Sequence, residues 1–270
     1  MTDGRVTAPF GRRQARIAAR EQRGAYVVLR CSDPGGPRPQ AGQFYMLSAG
    51  QRWGGGESER PYLARAFSVM RASASGGELQ FLLEAVGPGT TRLCELGPGE
   101  DLLLVGPLGV GFAAPEPGRR PILVGGGVGI APLAIWQDQL GLSTTALLGF
   151  RDALHAHGAM LLSGARVATD DGSAGHQGLV TELLAPELER DPAAEVYACG
   201  PPAMLEAIRR LCAAREIGAQ LAMESGMACG FGACFGCVVP TRRGYVRVCV
   251  DGPVIRASEL ETALVAGAGD

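Results

Sequence analysis

The chain contains no lysine; all 25 of its basic residues are arginine. A phosphate-binding loop that ends in Lys-Ser or Lys-Thr is therefore excluded, as is any chemistry through a lysine Schiff base. Long apolar runs are also missing. The richest stretch, from Pro121 to Trp136, is too short and too interrupted by glycine to span a bilayer. The first twenty residues are polar and arginine-rich with no apolar segment, so no secretory leader is expected there. There is little imbalance of charge either. A formal net charge of −2 gives no global attraction to nucleic acid or to an anionic membrane. These features point to a soluble cytoplasmic protein without nucleic-acid or membrane partners. Histidine is scarce, and His155, His157 and His176 stand in no pattern with Ser or Asp that suggests a nucleophilic triad; loop positions are expected for them. Asp170-Asp171-Gly172 reads as a turn rather than as part of a metal site with Glu182.

Cysteine, by contrast, is plentiful. Cys31, Cys94, Cys199 and Cys212 are scattered, whereas Cys229, Cys234, Cys237 and Cys249 crowd the C-terminal part. In a reducing compartment such crowding indicates metal or redox chemistry rather than disulfides. The spacing is C-x4-C-x2-C-x11-C, and its first three members match the plant-type [2Fe–2S] pattern. Two irons and two sulfides need four converging thiolates. A tight loop can supply three, and a strand must bring the fourth. Gly230, Gly232, Ala233 and Gly236 let the loop curl and leave backbone N–H groups free to face sulfur. The alternative is structural zinc, which usually shows two CxxC pairs; only Cys234-x2-Cys237 is one here.

Three regions are expected. Residues 1–116 alternate short apolar runs (Ala25–Cys31, Gln43–Leu47, Ala66–Met70, Leu79–Ala85, Asp101–Val105) with turn clusters, the rhythm of an antiparallel barrel or sandwich. Gly54–Gly56 with Ser58 reads as a hairpin tip. Residues 117–222 alternate strands and helices, which implies a parallel sheet. Residues 223–270 are too few for a good core, so a metal centre would staple them.

Within the first region, Arg65-Ala66-Phe67-Ser68 could pair with a pyrophosphate, pack a flavin ring and bond its edge, or be an ordinary strand. Gly87-Pro88-Gly89-Thr90 opens a helix at 91–96 that could hold a phosphate, or is a plain turn. In the second region, Gly125-Gly126-Gly127-Val128-Gly129 lies after the first strand and before the first helix, where a nucleotide fold has its phosphate loop, although it is not a GxGxxG. Cys199-Gly200-Pro201 ends a later parallel strand, and Cys199 is either beside a nicotinamide or a buried strand-end thiol. Arg151 and Asp152 follow the second strand of this region. Asp152 could take a ribose 2′-hydroxyl and Arg151 a 2′-phosphate, which leaves NAD and NADP both open.

In order, RAFS (65–68), GPGT (87–90), GPLGVGF (106–112), GGGVGIAPL (125–133) and YACGPPAML (197–205) resemble the ferredoxin-reductase-type flavoproteins. ATDDGSAGHQGLVTELL (168–184), ESGMACGFGACFGCVV (224–239) and RVCVDGPV (247–254) narrow the resemblance to the electron-transfer subunits of NAD-linked dihydroorotate dehydrogenase B. It covers nearly the whole chain. Ala66 stands where members often have proline, 52–64 is long, and the tail beyond Val254 is less familiar. The resemblance implies a FAD-binding barrel, a NAD-binding sheet domain and a small [2Fe–2S] domain. It implies Arg65, Ala66, Phe67, Ser68, Leu82, Leu83, Glu84, Gly89 and Thr90 for FAD; Gly125, Gly126, Gly127, Gly129, Cys199, Gly200 and Pro201 are the expected NAD residues; Cys229, Cys234, Cys237 and Cys249 would hold the cluster. It also implies an FMN-containing catalytic partner in a heterotetramer, electrons passing from dihydroorotate to NAD+ for pyrimidine synthesis, NADH diaphorase activity of the chain alone, and no group on this chain that acts on dihydroorotate. The rival expectations are a similar FAD and [2Fe–2S] subunit of a hydrogenase or transhydrogenase complex, and a non-catalytic zinc-binding interaction module. Met227, Phe231 and Phe235, with Val238 or Val239, are expected to form an apolar docking face.

Overall fold

The computed structural model describes residues 11–54, 61–141 and 144–265. Gly55, Gly56 and Ser58 of the expected hairpin tip lie outside them. The first half forms β1 (Arg13–Arg23), β2 (Tyr26–Ser32), β3 (Phe44–Ala49), β4 (Arg65–Ala72), β5 (Glu78–Glu84), the short helix α1 (Pro88–Cys94) and β6 (Asp101–Leu108). These six strands close into an antiparallel barrel in the order β1-β2-β5-β4-β3-β6. Closure leaves no free sheet edge. The apolar runs of the sequence fill the interior, with Leu29, Leu47, Val69, Phe81 and Leu104 fully buried. β1 was hidden in the arginine-rich start. Only Ala15 and Ile17 of this strand belong to the core, while its arginines point outward and bond at the barrel's rim, as Arg20 does to the Cys94 carbonyl at 2.7 Å.

The second half continues with β7 (Arg120–Gly126), α2 (Ile130–Leu140), β8 (Thr145–Phe150), α3 (Ala153–Ala156), β9 (Arg166–Thr169), β10 (His176–Gln177), α4 (Val180–Arg190), β11 (Ala194–Cys199), α5 (Pro202–Ala213) and β12 (Gly218–Ala222). Central strands β7 and β11 are buried along nearly their whole length, as strands covered by helices on both faces must be. α5 buries Leu205, Ile208 and Cys212, a spacing that places them on one helical face.

The C-terminal block adds β13 (Val238–Thr241), β14 (Gly244–Arg247), α6 (Val248–Asp251) and β15 (Val254–Arg256). β13 and β14 form a separate hairpin. β15 pairs antiparallel with β12 and completes a seven-stranded sheet of order β10-β9-β8-β7-β11-β12-β15. The block is thus tied into its neighbours. The Val110 N–H donates to the Gly252 carbonyl and the Met223 N–H to the Pro253 carbonyl. Glu206, buried on α5, accepts from the Ala263 N–H at 2.8 Å and from Arg209 and Arg210. Those arginines, Arg209 foremost, hold the Glu206 carboxyl well below the usual carboxylate range.

Barrel and sheet meet through Phe112, Trp136 and Tyr197, whose ring centroids lie 5.5–5.9 Å apart. Such pairs add about 0.5–1.5 kcal/mol each beyond the area they bury. Glu84 at the end of β5 bonds Arg151 at 2.8 Å, a second bridge between the two halves. No helix of the described residues is long and apolar enough to cross a membrane.

Candidate functional site

The sheet's strand order reverses at β7: β8, β9 and β10 lie to one side, β11, β12 and β15 to the other. Ligands of such sheets bind in the crevice at the carboxyl ends of the strands flanking that switch. Here those ends carry the Gly125–Gly129 loop and Cys199-Gly200-Pro201. The two loops touch, and two glycines make this possible. A Cβ on Gly129 would sit 2.5 Å from the Cys199 carbonyl oxygen, and one on Gly126 would sit 2.9 Å from Pro201 Cδ. Gly127 has φ +53° and faces open space, so its backbone is accessible to a ligand.

Two cavities open on the crevice. A cleft of about 290 Å³ is lined by Ala66, Phe67, Ser68 and Leu82 of the barrel, by Val128, Gly129 and Cys199 of the sheet, and by Met223 to Met227 of the C-terminal block. A groove of about 430 Å³ takes in Tyr26, Gly126, Gly127, Arg151, Asp170, Pro201 and Met204. The structure therefore brings Ala66, Phe67, Ser68 and Leu82 to the same space as Gly129 and Cys199, and places Gly126, Gly127 and Pro201 in the adjoining groove. Cys199 is a buried thiol, pushed up by burial, at the end of its strand, and it lines the cleft.

Arg65 lies across the first turn of α1, where a Cβ on Gly89 would be 2.8 Å from its Nε. Its guanidinium also stands 5.9 Å from the ring centre of Trp53, whose buried indole N–H has no partner among the described residues. The Thr90 hydroxyl accepts from the Gly87 N–H at 3.0 Å and fixes this turn. Leu83 and Glu84 do not line the cleft: Leu83 is barrel core, and Glu84 bonds Arg151 and His155. Asp152 caps α3 and bonds His155 Nδ1 at 2.6 Å, while the largely exposed Arg151 bonds Glu84 and lines the groove. His155 is thus a buried bridge, packed edge-on against Tyr26, and not the loop residue expected. The Tyr26 hydroxyl is buried beside the groove without a partner among the described residues.

Glu224 escaped the sequence reading. It lies in the cleft, and burial pushes its carboxyl up to about 7. The signal was faint: a lone acid at the start of an otherwise small and apolar segment.

The four clustered cysteines form two pairs. Cys237 and Cys249 are buried with their Sγ atoms 3.2 Å apart, and the more accessible Cys229 and Cys234 thiols interact with each other. Among the described residues no three such groups converge to hold a single metal ion. Two pairs suit a binuclear centre better than one tetrahedral zinc. Backbone donors fit the charge of such a centre. Burial raises the Cys229 thiol, but the N–H groups of Cys234, Phe231 and Ala233 together with the Cys234 thiol outweigh it and bring the thiol down to about 6. The Gly232 N–H faces Cys249, and Gly236 donates to Cys234 Sγ at 3.4 Å. Gly230, at φ +79°, lies against Met46 of β3, which seats the loop on the barrel next to the cleft. The expected docking face is partly corrected. Phe231, Phe235 and Val238 are exposed, joined by Tyr245, but Val239 is fully buried and Met227 packs on the core.

A closed antiparallel barrel joined to a parallel nucleotide-type sheet, with clefts at their junction, defines a ferredoxin-reductase-like oxidoreductase fold. A chain of the NADH-dependent reduced ferredoxin-NADP oxidoreductase matches it with TM-score 0.77 at 24% identity, over 92% of this chain and 90% of that one. The Neisseria gonorrhoeae ferredoxin NADP+ reductase, solved with FAD and NADP, matches with TM-score 0.61 at 20% identity, over 76% and 91%. Residues 224–261 match the iron–sulfur cluster binding domain of dihydroorotate dehydrogenase B. The electron transfer subunit of dihydroorotate dehydrogenase B (NAD(+)) from Geobacillus sp. (strain WCH70) is 39% identical over 74% of this chain and 80% of its own length. That of Bacillus caldolyticus is 38% identical over 82% and 86%. The chain belongs to the family of dihydroorotate dehydrogenase B electron transfer subunits. The expected cofactors agree with this membership: a cluster-binding domain, a fold shared with a FAD-loaded reductase, and relatives named for NAD(+).

Proposed function

We propose that this chain carries electrons from an FMN-containing, dihydroorotate-oxidising catalytic subunit to NAD+, in a cytoplasmic heterotetramer serving pyrimidine synthesis. The observation that carries the reading is the shared cleft. Barrel residues Ala66 to Ser68, sheet residues Gly129 and Cys199, and the segment leading into Cys229 all face one small volume. When bound, FAD supplies two-electron exchange with the nicotinamide and one-electron exchange with the [2Fe–2S] cluster, which links to the partner's FMN.

The residues present fit these groups. Arg65 and the first-turn amides of α1 offer charge and donors to a pyrophosphate, and the Trp53 indole, without a partner among the described residues, lies beside Arg65. Phe67 and Leu82 give the cleft apolar walls, and Ser68 gives a hydroxyl. Gly126 and Gly127, with Tyr26 beneath, form the floor for a dinucleotide, and Cys199 sits where the nicotinamide end would reach the cleft. Glu224, with its raised pKa, can hold or release a proton at the cleft near neutral pH. The exposed Phe231, Phe235, Val238 and Tyr245, beside the cluster ligands, form the face for the catalytic subunit.

The test uses the purified subunit alone and co-expressed with its partner. The subunit alone should oxidise NADH with an artificial acceptor and leave dihydroorotate untouched, and the pair should reduce NAD+ with dihydroorotate. A subunit that oxidises dihydroorotate by itself defeats the reading.

A further inference from the structure

The C-terminal block holds one cation in an unusual place. Arg247 ends β14, two residues before Cys249, and its side chain crosses to the loop that carries the other three ligands. Its Nη1 donates to the Gly232 carbonyl at 3.1 Å. The N–H of that same peptide unit belongs to Ala233, and it is directed at Cys229. Holding the carbonyl therefore aims the amide at sulfur, and polarises it, since linked hydrogen bonds strengthen one another. The guanidinium also lies 5.0 Å from the ring centre of Phe235. Phe235 sits between two ligands at φ +57°, a conformation that residues other than glycine rarely adopt. The stacked cation gives that strained, exposed ring something to pack on.

The backbone of Arg247 is itself fixed. Its N–H donates to Asp251 at 3.0 Å, and it pairs with Val238 across the hairpin. One side chain thus connects both ligand-bearing segments, the loop of 229–237 and the hairpin that brings Cys249. The Asp251 carboxylate, 3.9 Å from Nε, offsets part of its charge.

We propose that Arg247 is a positioning residue for the iron–sulfur centre: it locks the Gly232–Ala233 peptide in its sulfur-facing orientation and raises the centre's reduction potential. The inference rests on the [2Fe–2S] reading above. One-electron reduction adds a negative charge to the cluster. A nearby cation and well-aimed N–H dipoles favour the reduced form.

The experiment compares full-length wild type, Arg247→Gln and Arg247→Lys, prepared anaerobically with FAD. Iron, sulfide and flavin are counted, and the cluster's midpoint potential and g-values are read by EPR during redox titration. Arg247→Gln should shift the one-electron equilibrium toward the oxidised cluster by at least tenfold, which is about 59 mV, and should alter the g-values. Arg247→Lys, which keeps the charge but loses the planar stack, should fall between. The flavin potential should not move. A Gln variant that loads its cluster with unchanged potential and g-values overturns the proposal. If the Gln variant takes up no cluster, the Lys variant decides: a lowered potential supports the proposal, and wild-type behaviour overturns it. Wild-type protein that binds no iron and sulfide would instead sink the cluster reading, and this inference with it.

Discussion

Glu224 offers a test that needs no partner and no turnover. Burial in the cleft moves its carboxyl from the ordinary 4.5 to about 7. At about 1.4 kcal/mol per pH unit, that displacement corresponds to about 3 kcal/mol. Its sign follows from proton linkage. Between the two values the folded chain holds a proton that the unfolded chain has released, so stability falls as pH rises from about 4.5 toward 7 and levels off above. Glu224→Gln keeps the shape and removes the charge. The variant should therefore be stabilised relative to wild type at pH 8, by up to about 3 kcal/mol, and differ little at pH 4.5. Chemical denaturation of the flavin-free chain at several pH values, fitted for both proteins, reads this difference directly. A carboxylic-acid carbonyl band in the infrared, present at pH 6 and absent from the variant, reports the same proton. Parallel stability profiles with no such band would show that Glu224 titrates as an ordinary solvated acid, and its role in the cleft would fall.

Other residues give sharper or smaller effects. Cys234→Ser should lose the cluster while FAD stays bound, because flavin and cluster rest on separate segments; iron, sulfide and flavin analysis of one preparation checks this. Gly129→Ala would drive a methyl against the Cys199 carbonyl. Overpacking of that kind costs about 1–3 kcal/mol, and NADH reduction of the flavin, followed by stopped flow, should slow at least tenfold. Arg151→Ala breaks a bridge whose arginine is 61% exposed, so urea denaturation should register a loss of no more than about 1 kcal/mol. Phe231→Glu and Tyr245→Glu place charges on the exposed face by the cluster. Gel filtration of the co-expressed pair should show weakened assembly, with NADH-to-dye activity intact.

The sequence was most legible where chemistry demands fixed residue types. C-x4-C-x2-C is set by its own spacing, and the structure puts Cys229 beside Cys234 and Cys237 beside Cys249. The glycine loop after β7 was legible by position, between an apolar strand and the helix that follows it. β1 was not, because an outward row of arginines hides a strand that contributes only Ala15 and Ile17 to the core. Nor was β15, a three-residue strand whose place at the sheet edge is set by long-range pairing with β12. Glu224 and Arg247 were missed for a common reason. Their roles depend on burial or on a contact across fifteen residues, as from Arg247 to Gly232, and local pattern carries neither. Arg151 and Asp152 stand after the second strand of the sheet, as the sequence places them; the bond from Arg151 to Glu84, 67 residues away, was not legible there.

The central claim is that this chain links dihydroorotate oxidation to NAD+. The most direct measurement is anaerobic NAD+ reduction by the co-expressed pair with dihydroorotate as sole donor, beside a pair carrying Cys234→Ser. The intact pair should form NADH in proportion to dihydroorotate consumed. The variant pair should assemble, keep its NADH-to-dye activity and lose dihydroorotate-dependent NADH formation. NADH formation at an undiminished rate in a variant pair shown to lack iron and sulfide would contradict the account.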